Sequence, residues 1–225
     1  MKRSHEVVES ISTATSAIKR RGEGGRVSNS SSAWQDALWK YCVNPESFPS
    51  STVVMYDDRS VTIHDCYPKA RVHLLVLPRD CIDGFQHLNS SHVELLKHMR
   101  EQGRQALAKL YADPPNVQVG FHAVPSMRQL HLHIISTDFD SPCMKTKLHY
   151  NSFVTSFFIP VEEFIEKLDR PGGAIHIDRE EYEALIKTTP LKCRCCGEVF
   201  KQMPALKLHL SKAPQVNTML APSNQ

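Results

Sequence analysis

The sequence predicts an α+β fold: an antiparallel sheet with flanking helices, followed by a small C-terminal ββα module. Three observations carry this expectation. β-rich runs cluster before and after one long helical pattern, an order that favours antiparallel pairing over repeated βαβ units. The 12 histidines are unevenly placed, and two of them alternate with apolar residues in one β-rich run. Three of the seven cysteines, Cys193, Cys195 and Cys196, crowd together near the C-terminus.

Each element has a local cause. Residues 1–32 are poor in large apolar side chains and rich in Ser, Gly and Arg. They cannot bury enough surface to offset ordering entropy and are expected to form a disordered basic tail. Within it, Lys19, Arg20 and Arg21 suit a weak nuclear-import signal, a phosphate-binding arm or a solvated run. Trp34, Ala37, Leu38 and Tyr41 recur at i, i+3, i+4 and i+7, which predicts a short amphipathic helix stopped by Asn44-Pro45. TVVMY and SVTIH flank Asp57-Asp58-Arg59 as a hairpin, and RVHLLVLP is a third strand ended by Pro78.

Ser91 and Glu94 form a capping-box pattern opening a helix to about Ala112, with Val93, Leu96, Met99, Leu107 and Leu110 on one face. Asp113-Pro114-Pro115 ends it. VQVGFH and LHLHIIS are two more strands, and PVEEFIEKL is a helix ended by Pro171-Gly172-Gly173. The main domain is expected over 33–170, a linker with one short helix over 171–190, a small separate module over 191–213 and a tail over 214–225.

Composition excludes some classes. The chain has 27 Lys+Arg against 24 Asp+Glu, a formal charge of +3 and a pI of about 8.4. That balance is too mild to mark nucleic acid as a partner without local patches. Hydrophobic content of 41% and charged content of 23% fit a globular protein with a core. No run of about 18 apolar residues exists to cross a membrane, and MKRSHEVVESISTATS lacks the apolar stretch of a secretory leader. In the reducing compartment this implies, crowded cysteines suggest a metal rather than disulfides.

The most informative segment is Gln129-Leu130-His131-Leu132-His133-Ile134-Ile135-Ser136. Side chains alternate along a strand, so Leu130, Leu132 and Ile134 face the core while Gln129, His131 and His133 line the other face, roughly 7 Å apart. The residues alone leave three readings open: a metal site, a pair of half-buried histidines, or nucleophilic catalysis by one imidazole beside another. A metal would want a third ligand and an orienting carboxylate, for which only His122 and His73 stand out. The loop HAVPSM offers hydroxyl and backbone N–H groups, which suit a phosphate.

With GFHAVPSM before it, HLHII resembles the histidine-triad nucleotide hydrolases and transferases. The longer match through YPKARVHLLVLP, GFHAVPSM and LHLHIISTDFDSPCMKTKLHYNSF is similar to the branch that removes AMP from abortively adenylated DNA 5′ ends. The resemblance implies a histidine-triad fold, with His131 as nucleophile and His133, His73 and His122 supporting it. It implies nucleotide contacts at Asp65, Lys69, Ser126, Met127 and Gln129, and no cofactor for the chemistry. It implies DNA contacts at Trp34 and Leu38 on a wedge helix, through peptide N–H groups at Arg79, Asp80, Cys81, Ile82 and Asp83 and at Asp140 and Ser141, and at His149. The implied partners are nicked or 5′-adenylated DNA, with AMP as product, and the implied location is the nucleus. The chain departs from the family pattern at the first triad position, where Gln129 can hydrogen-bond but cannot carry a proton.

Cys193-x2-Cys196, then 12 residues, then His209 is the spacing of a ββα zinc finger with Leu206 and Phe200 in its small core. The expected ligands are Cys193, Cys196 and His209. The family's fourth ligand position holds Ala213, and no Cys, His, Asp or Glu follows His209. Lys201, Lys207 and Lys212 would make the module basic. Two other functions remain: a dinucleoside polyphosphate or nucleoside phosphoramidate hydrolase, and a non-catalytic strand-break-binding module.

Overall fold

The computed structural model describes residues 34–212; the expected tails at 1–32 and 214–225, with Lys19, Arg20 and Arg21, lie outside the described residues. Six strands pair antiparallel in the order β1-β2-β3-β5-β4-β6. They are β1 (Val53–Tyr56), β2 (Ser60–His64), β3 (His73–Pro78), β4 (Val117–His122), β5 (Leu132–Ser136) and β6 (Phe158–Pro160). The β1–β2 turn forms because Asp57 Oδ1 accepts the backbone N–H groups of Arg59 and Ser60, both at 2.8 Å.

One face of the sheet packs on two helices, α2 (Val93–Leu110) and α4 (Val161–Asp169). Leu74, Val76, Leu132 and Ile134 meet Leu96, Met99, Phe164 and Leu168 there. Gly103 lets α2 lie close, since a Cβ there would stand 1.9 Å from Ile134 Cδ1. The other face is covered in two separate places. Over β2 and β3, Leu38, Tyr41 and Cys42 pack on Ile63, Leu75 and Leu77. Over β5 and β6, Tyr150 and Phe153 of α3 (Lys147–Val154) pack on Ile135 and Phe158. Between these two covers lie the histidines.

Several expectations change. The first helix, α1, spans only Trp39–Val43, with Trp34 to Leu38 in hydrogen-bonded turns. The helix cap before α2 is Asn89, not Ser91. The Asn89 side chain accepts the Ser91 N–H at 2.9 Å, and His92 Nδ1 takes the Asn89 N–H. Leu110 is 36% exposed, so the buried stripe ends at Leu107. Helix α3 and strand β6 were not legible, whereas the short helix expected within 171–190 is α5 (Arg179–Thr188).

Residues 191–212 hold one bridge, Lys192 to Val199, and α6 (Met203–Leu210). They are not a free-standing unit: Leu191, Cys193, Met203 and Leu206 share one apolar cluster with Ile135, Phe139, Tyr150 and Phe153.

Gly120 of β4 pairs with His133 on one side and Pro160 on the other. A Cβ there would sit 2.3 Å from the Ile159 carbonyl oxygen and 2.7 Å from Phe158 Cε1. Gly120→Ala is therefore expected to cost about 1–3 kcal/mol by forcing β6 away. Urea unfolding checks this, and an unchanged midpoint would show that β6 yields without strain.

Candidate active site

Strand β5 lies between β3 and β4 and is hydrogen-bonded on both edges. Its alternation works as the sequence predicts: Leu130, Leu132 and Ile134 are buried in the α2/α4 core. The register then brings in partners the sequence could not align. Leu75 faces His133 and His73 faces Ile135, so His73 sits one step along the same face. Gly120 faces His133, which leaves room for the imidazole. Four rings converge. His133 lies 4.4 Å from His122, 5.0 Å from His131 and 5.2 Å from His73, centroid to centroid.

Hydrogen bonds fix the tautomers. His131 Nδ1 is 2.7 Å from the Gln129 carbonyl oxygen, which can only accept. Nδ1 therefore carries the proton, and the neutral ring keeps a lone pair on Nε2. His73 Nδ1 accepts the Lys69 N–H at 3.1 Å, so its proton is on Nε2 and is donated to His133 Nδ1 at 2.9 Å. His133 in turn carries its proton on Nε2. That atom and His122 Nε2 are enclosed and have no hydrogen-bond partner among the described residues. Enclosed polar atoms without partners call for a ligand to satisfy them.

Burial keeps these rings neutral. It pushes His73 down to about 4, against the opposing pull of Asp65 and with help from Lys69 and His131. It lowers His131, opposed by the Gln129 carbonyl and Asp65. His133 and His122 are held well below the usual imidazole value by burial and by the neighbouring imidazoles and Lys69. Phe153 of α3 supplies the apolar wall, 4.5 Å from His122, 5.5 Å from His133 and 5.6 Å from His73. Sequence reasoning missed Phe153; the signal was Thr146 as a helix cap followed by Tyr150 and Phe153 at helical spacing.

The other expected nucleotide contacts divide. Asp65 Oδ2 is 3.5 Å from His73 Nδ1, beside the rings. Lys69 serves through its backbone on His73, and its ammonium turns toward the Tyr67 carbonyl. Ser126 and Met127 lie on the loop entering β5, in the wall of a cavity of about 750 Å³ also lined by Trp34, Arg128 and His176. The Gln129 side chain does not reach the site: its amide donates to the Pro78 and Asp80 carbonyls, both at 2.8 Å. Its backbone carbonyl does the orienting instead.

The side chains at the expected DNA contacts differ in exposure, whereas the contacts at 79–83 and 140–141 are expected to act through peptide N–H groups. Trp34 is 52% exposed and available, as are Asp80, Cys81 and Asp83. Leu38 and Ile82 are buried in the two cores, because each supplies apolar surface that a neighbouring strand or helix covers. The Arg79 guanidinium is committed to the carbonyls of Cys42, Val43 and Asp57. Ser141 is buried, its hydroxyl bonded to the Pro68 carbonyl. Asp140 is exposed but paired with Arg71 at 2.9 Å. His149 is half-buried in the first turn of α3, and Lys69 lowers its basicity together with burial.

Among the described residues, two groups of donors could hold a metal. Asp65, His73 and His133 lie within 4.8 Å of one another. There the ring nitrogens are engaged with the Lys69 N–H and with each other, so a metal would have to break both bonds. Cys193, Cys196 and His209 also lie within 4.8 Å, and this set fits zinc. His209 Nε2 is 3.2 Å from Cys196 Sγ, while Nδ1 is 3.3 Å from Glu198, which orients the ring. Burial raises the Cys193 thiol, but backbone N–H groups of Cys196 and Cys195 outweigh it and bring Cys193 to about 7, ready to ligate.

Comparison with known proteins fits this geometry. Residues 39–149 match a family model described as "Scavenger mRNA decapping enzyme C-term binding", and residues 154–215 match a "C2HE / C2H2 / C2HC zinc-binding finger". The chain is 43% identical to aprataxin of Gallus gallus over 160 residues, 71% of this chain and 50% of that protein. It is 33% identical to an aprataxin-like protein of Saccharomyces cerevisiae, covering 79% of this chain and 94% of that one. A crystal structure of the aprataxin ortholog Hnt3 in complex with DNA superposes with a TM-score of 0.58 at 29% identity, covering 80% of this chain and 94% of that chain. The chain spans about half the length of the Gallus gallus, Ciona intestinalis and Danio rerio aprataxins it matches.

A pH dependence of stability follows from the buried rings. Unfolded histidine titrates near 6.5, whereas folded His73 titrates near 4. Between those values the unfolded chain binds the extra proton, so stability falls as pH is lowered through the window. His73 alone accounts for about 3 kcal/mol, and the other three rings act in the same direction. Urea unfolding from pH 6.5 to 5, above most carboxylate titration, is expected to show the decline; a flat profile would mean the rings are solvated.

Proposed function

The chain belongs to the aprataxin family, and from that premise we propose that it removes AMP from 5′-adenylated DNA ends left by abortive ligation, within nuclear single-strand break repair. The observation that carries this reading is the division of labour among the rings. His131 presents an Nε2 lone pair, and His133 presents an enclosed Nε2–H with no partner among the described residues.

Nε2 of His131 attacks the adenylate phosphorus, and the bond to the DNA 5′-phosphate oxygen breaks. The DNA phosphate leaves with that electron pair, and AMP is joined to His131 through a P–N bond. Dividing one displacement into two lowers each barrier. The ring becomes cationic on attack, and its Nδ1–H already points at the Gln129 carbonyl dipole. That carbonyl is held because the Gln129 amide anchors the strand entrance to Pro78 and Asp80. A proton-carrying side chain at position 129 is unnecessary in this scheme, since a phosphate leaves without protonation by the protein.

His133 Nε2–H donates to a phosphoryl oxygen, and the Lys69 charge adds to the field there. Water then attacks the phosphorus and gives up a proton to solvent, the P–N bond breaks with its electron pair returning to His131 Nε2, and AMP departs. In this reading Asp65, beside His73, takes the ribose hydroxyls and Ser126, on the loop entering β5, takes phosphate oxygens. Exposed Trp34 and the finger lysines suit a DNA end rather than a free dinucleotide. Zinc, bound by Cys193, Cys196 and His209, would act structurally and stabilise the finger.

Trapping labelled AMP and mapping the modified residue is expected to identify His131. His131→Ala is expected to abolish AMP release while leaving nicked-DNA binding largely intact. Turnover of AMP-lysine or dinucleoside polyphosphates far faster than of adenylated nicks would favour a small-molecule hydrolase. DNA binding with no AMP release by the intact protein would leave only a break-binding module.

Metal analysis is expected to find a single zinc per chain, lost in Cys193→Ser. Because the finger shares its core with Tyr150 and Phe153, that variant is also expected to melt at a lower temperature. Unchanged zinc content in Cys193→Ser would sink the assignment of ligands.

A further inference from the structure

An unbroken chain of contacts joins the finger to the histidines. Lys207 Nζ, on α6, donates to the Ser141 carbonyl oxygen at 2.8 Å. The Ser141 hydroxyl donates to the Pro68 carbonyl and accepts the Cys143 N–H. Pro68 C=O and Lys69 N–H belong to one planar peptide unit, so holding the oxygen aims the N–H. That N–H is the donor to His73 Nδ1, and His73 Nε2 is the donor to His133 Nδ1. The tautomer of His133 is thus set at the far end of this chain.

The loop carrying Ser141 is itself over-determined from both sides. Phe139 takes a left-handed backbone, φ +48°, which is uncommon for a bulky residue. It is held there by burial in the cluster that contains Leu191, Met203 and Leu206 of the finger. Asp138 Oδ1 accepts the backbone N–H groups of Arg71 and Asp140 at 3.1 and 2.8 Å. Such a conformation persists only where its surroundings enforce it, and it clusters at functional positions.

We propose that Lys207 is a positioning residue for the histidine site: by holding Ser141 it fixes the Pro68–Lys69 peptide and so turns the His133 Nε2–H toward the phosphoryl group. The finger then serves the reaction from within the protein, in addition to any contact with DNA backbone. Only the kinetic part of the test rests on the function proposed above.

Lys207→Met keeps the aliphatic stem and removes the donor, and Lys207→Arg keeps a charged donor. ¹⁵N imidazole spectra without DNA are expected to show His73 and His133 as single tautomers in the parent and in Lys207→Arg. In Lys207→Met they are expected to average between tautomers, while Lys167→Met, a remote exposed substitution, leaves them unchanged. Ser141→Ala is expected to repeat the Lys207→Met spectra if the latter variant folds poorly. On adenylated nicks, kcat is expected to fall about tenfold or more in Lys207→Met, with KM little changed. Unchanged imidazole spectra in both Lys207→Met and Ser141→Ala would overturn the proposal, as would a loss confined to KM, which would make Lys207 a DNA contact only. A parent protein without turnover would sink the enzymatic reading, and the spectra would still decide the role of Lys207.

Discussion

The pleat of β5, clamped between β3 and β4, is the constraint on which the site depends. Alternation sends Leu132 and Ile134 into the helical core and His131 and His133 to the opposite face. A slip of one residue would exchange the two sets and place imidazoles in the apolar layer. Burial of Leu132 and Ile134 therefore aims the histidines as well as stabilising the sheet. The same enclosure holds the rings neutral, so that a nucleophilic lone pair and a hydrogen-bond donor coexist within one cluster.

Much of this was legible before any coordinates. Period-two alternation marked the histidine strand, Asp57-Asp58-Arg59 marked the hairpin, and the cysteine spacing marked the finger ligands. Those signals are local, and local physics decided them. What was not legible depended on partners distant in sequence. His73 and His122 join His131 only through strand register, which no single segment encodes. Leu38 and Ile82 look available in sequence but are claimed by neighbouring elements. The Arg79 guanidinium looks free in sequence, yet three carbonyls take it. The group that orients His131 is a backbone carbonyl, which carries no residue identity for a sequence reading to find.

The finger illustrates how a small module is stabilised by sharing. Its three-donor set is thinner than the usual four, and its own apolar core is slight. It compensates by adding Leu191, Met203 and Leu206 to the cluster beneath α3, so that Tyr150 and Phe153 are sealed by residues well over thirty positions later. The arrangement puts the Cys193 donor, the packing of α3 and the Phe153 wall of the histidine pocket in one apolar cluster.

That shared cluster has a consequence for biosynthesis. Synthesis runs from N- to C-terminus, so a nascent chain acquires His131 well before it acquires the residues that back Phe153. Until those residues are added, Tyr150 and Phe153 lack the apolar cover that Leu191, Met203 and Leu206 supply. Among the described elements, the one translated last is thus the one that backs the pocket wall.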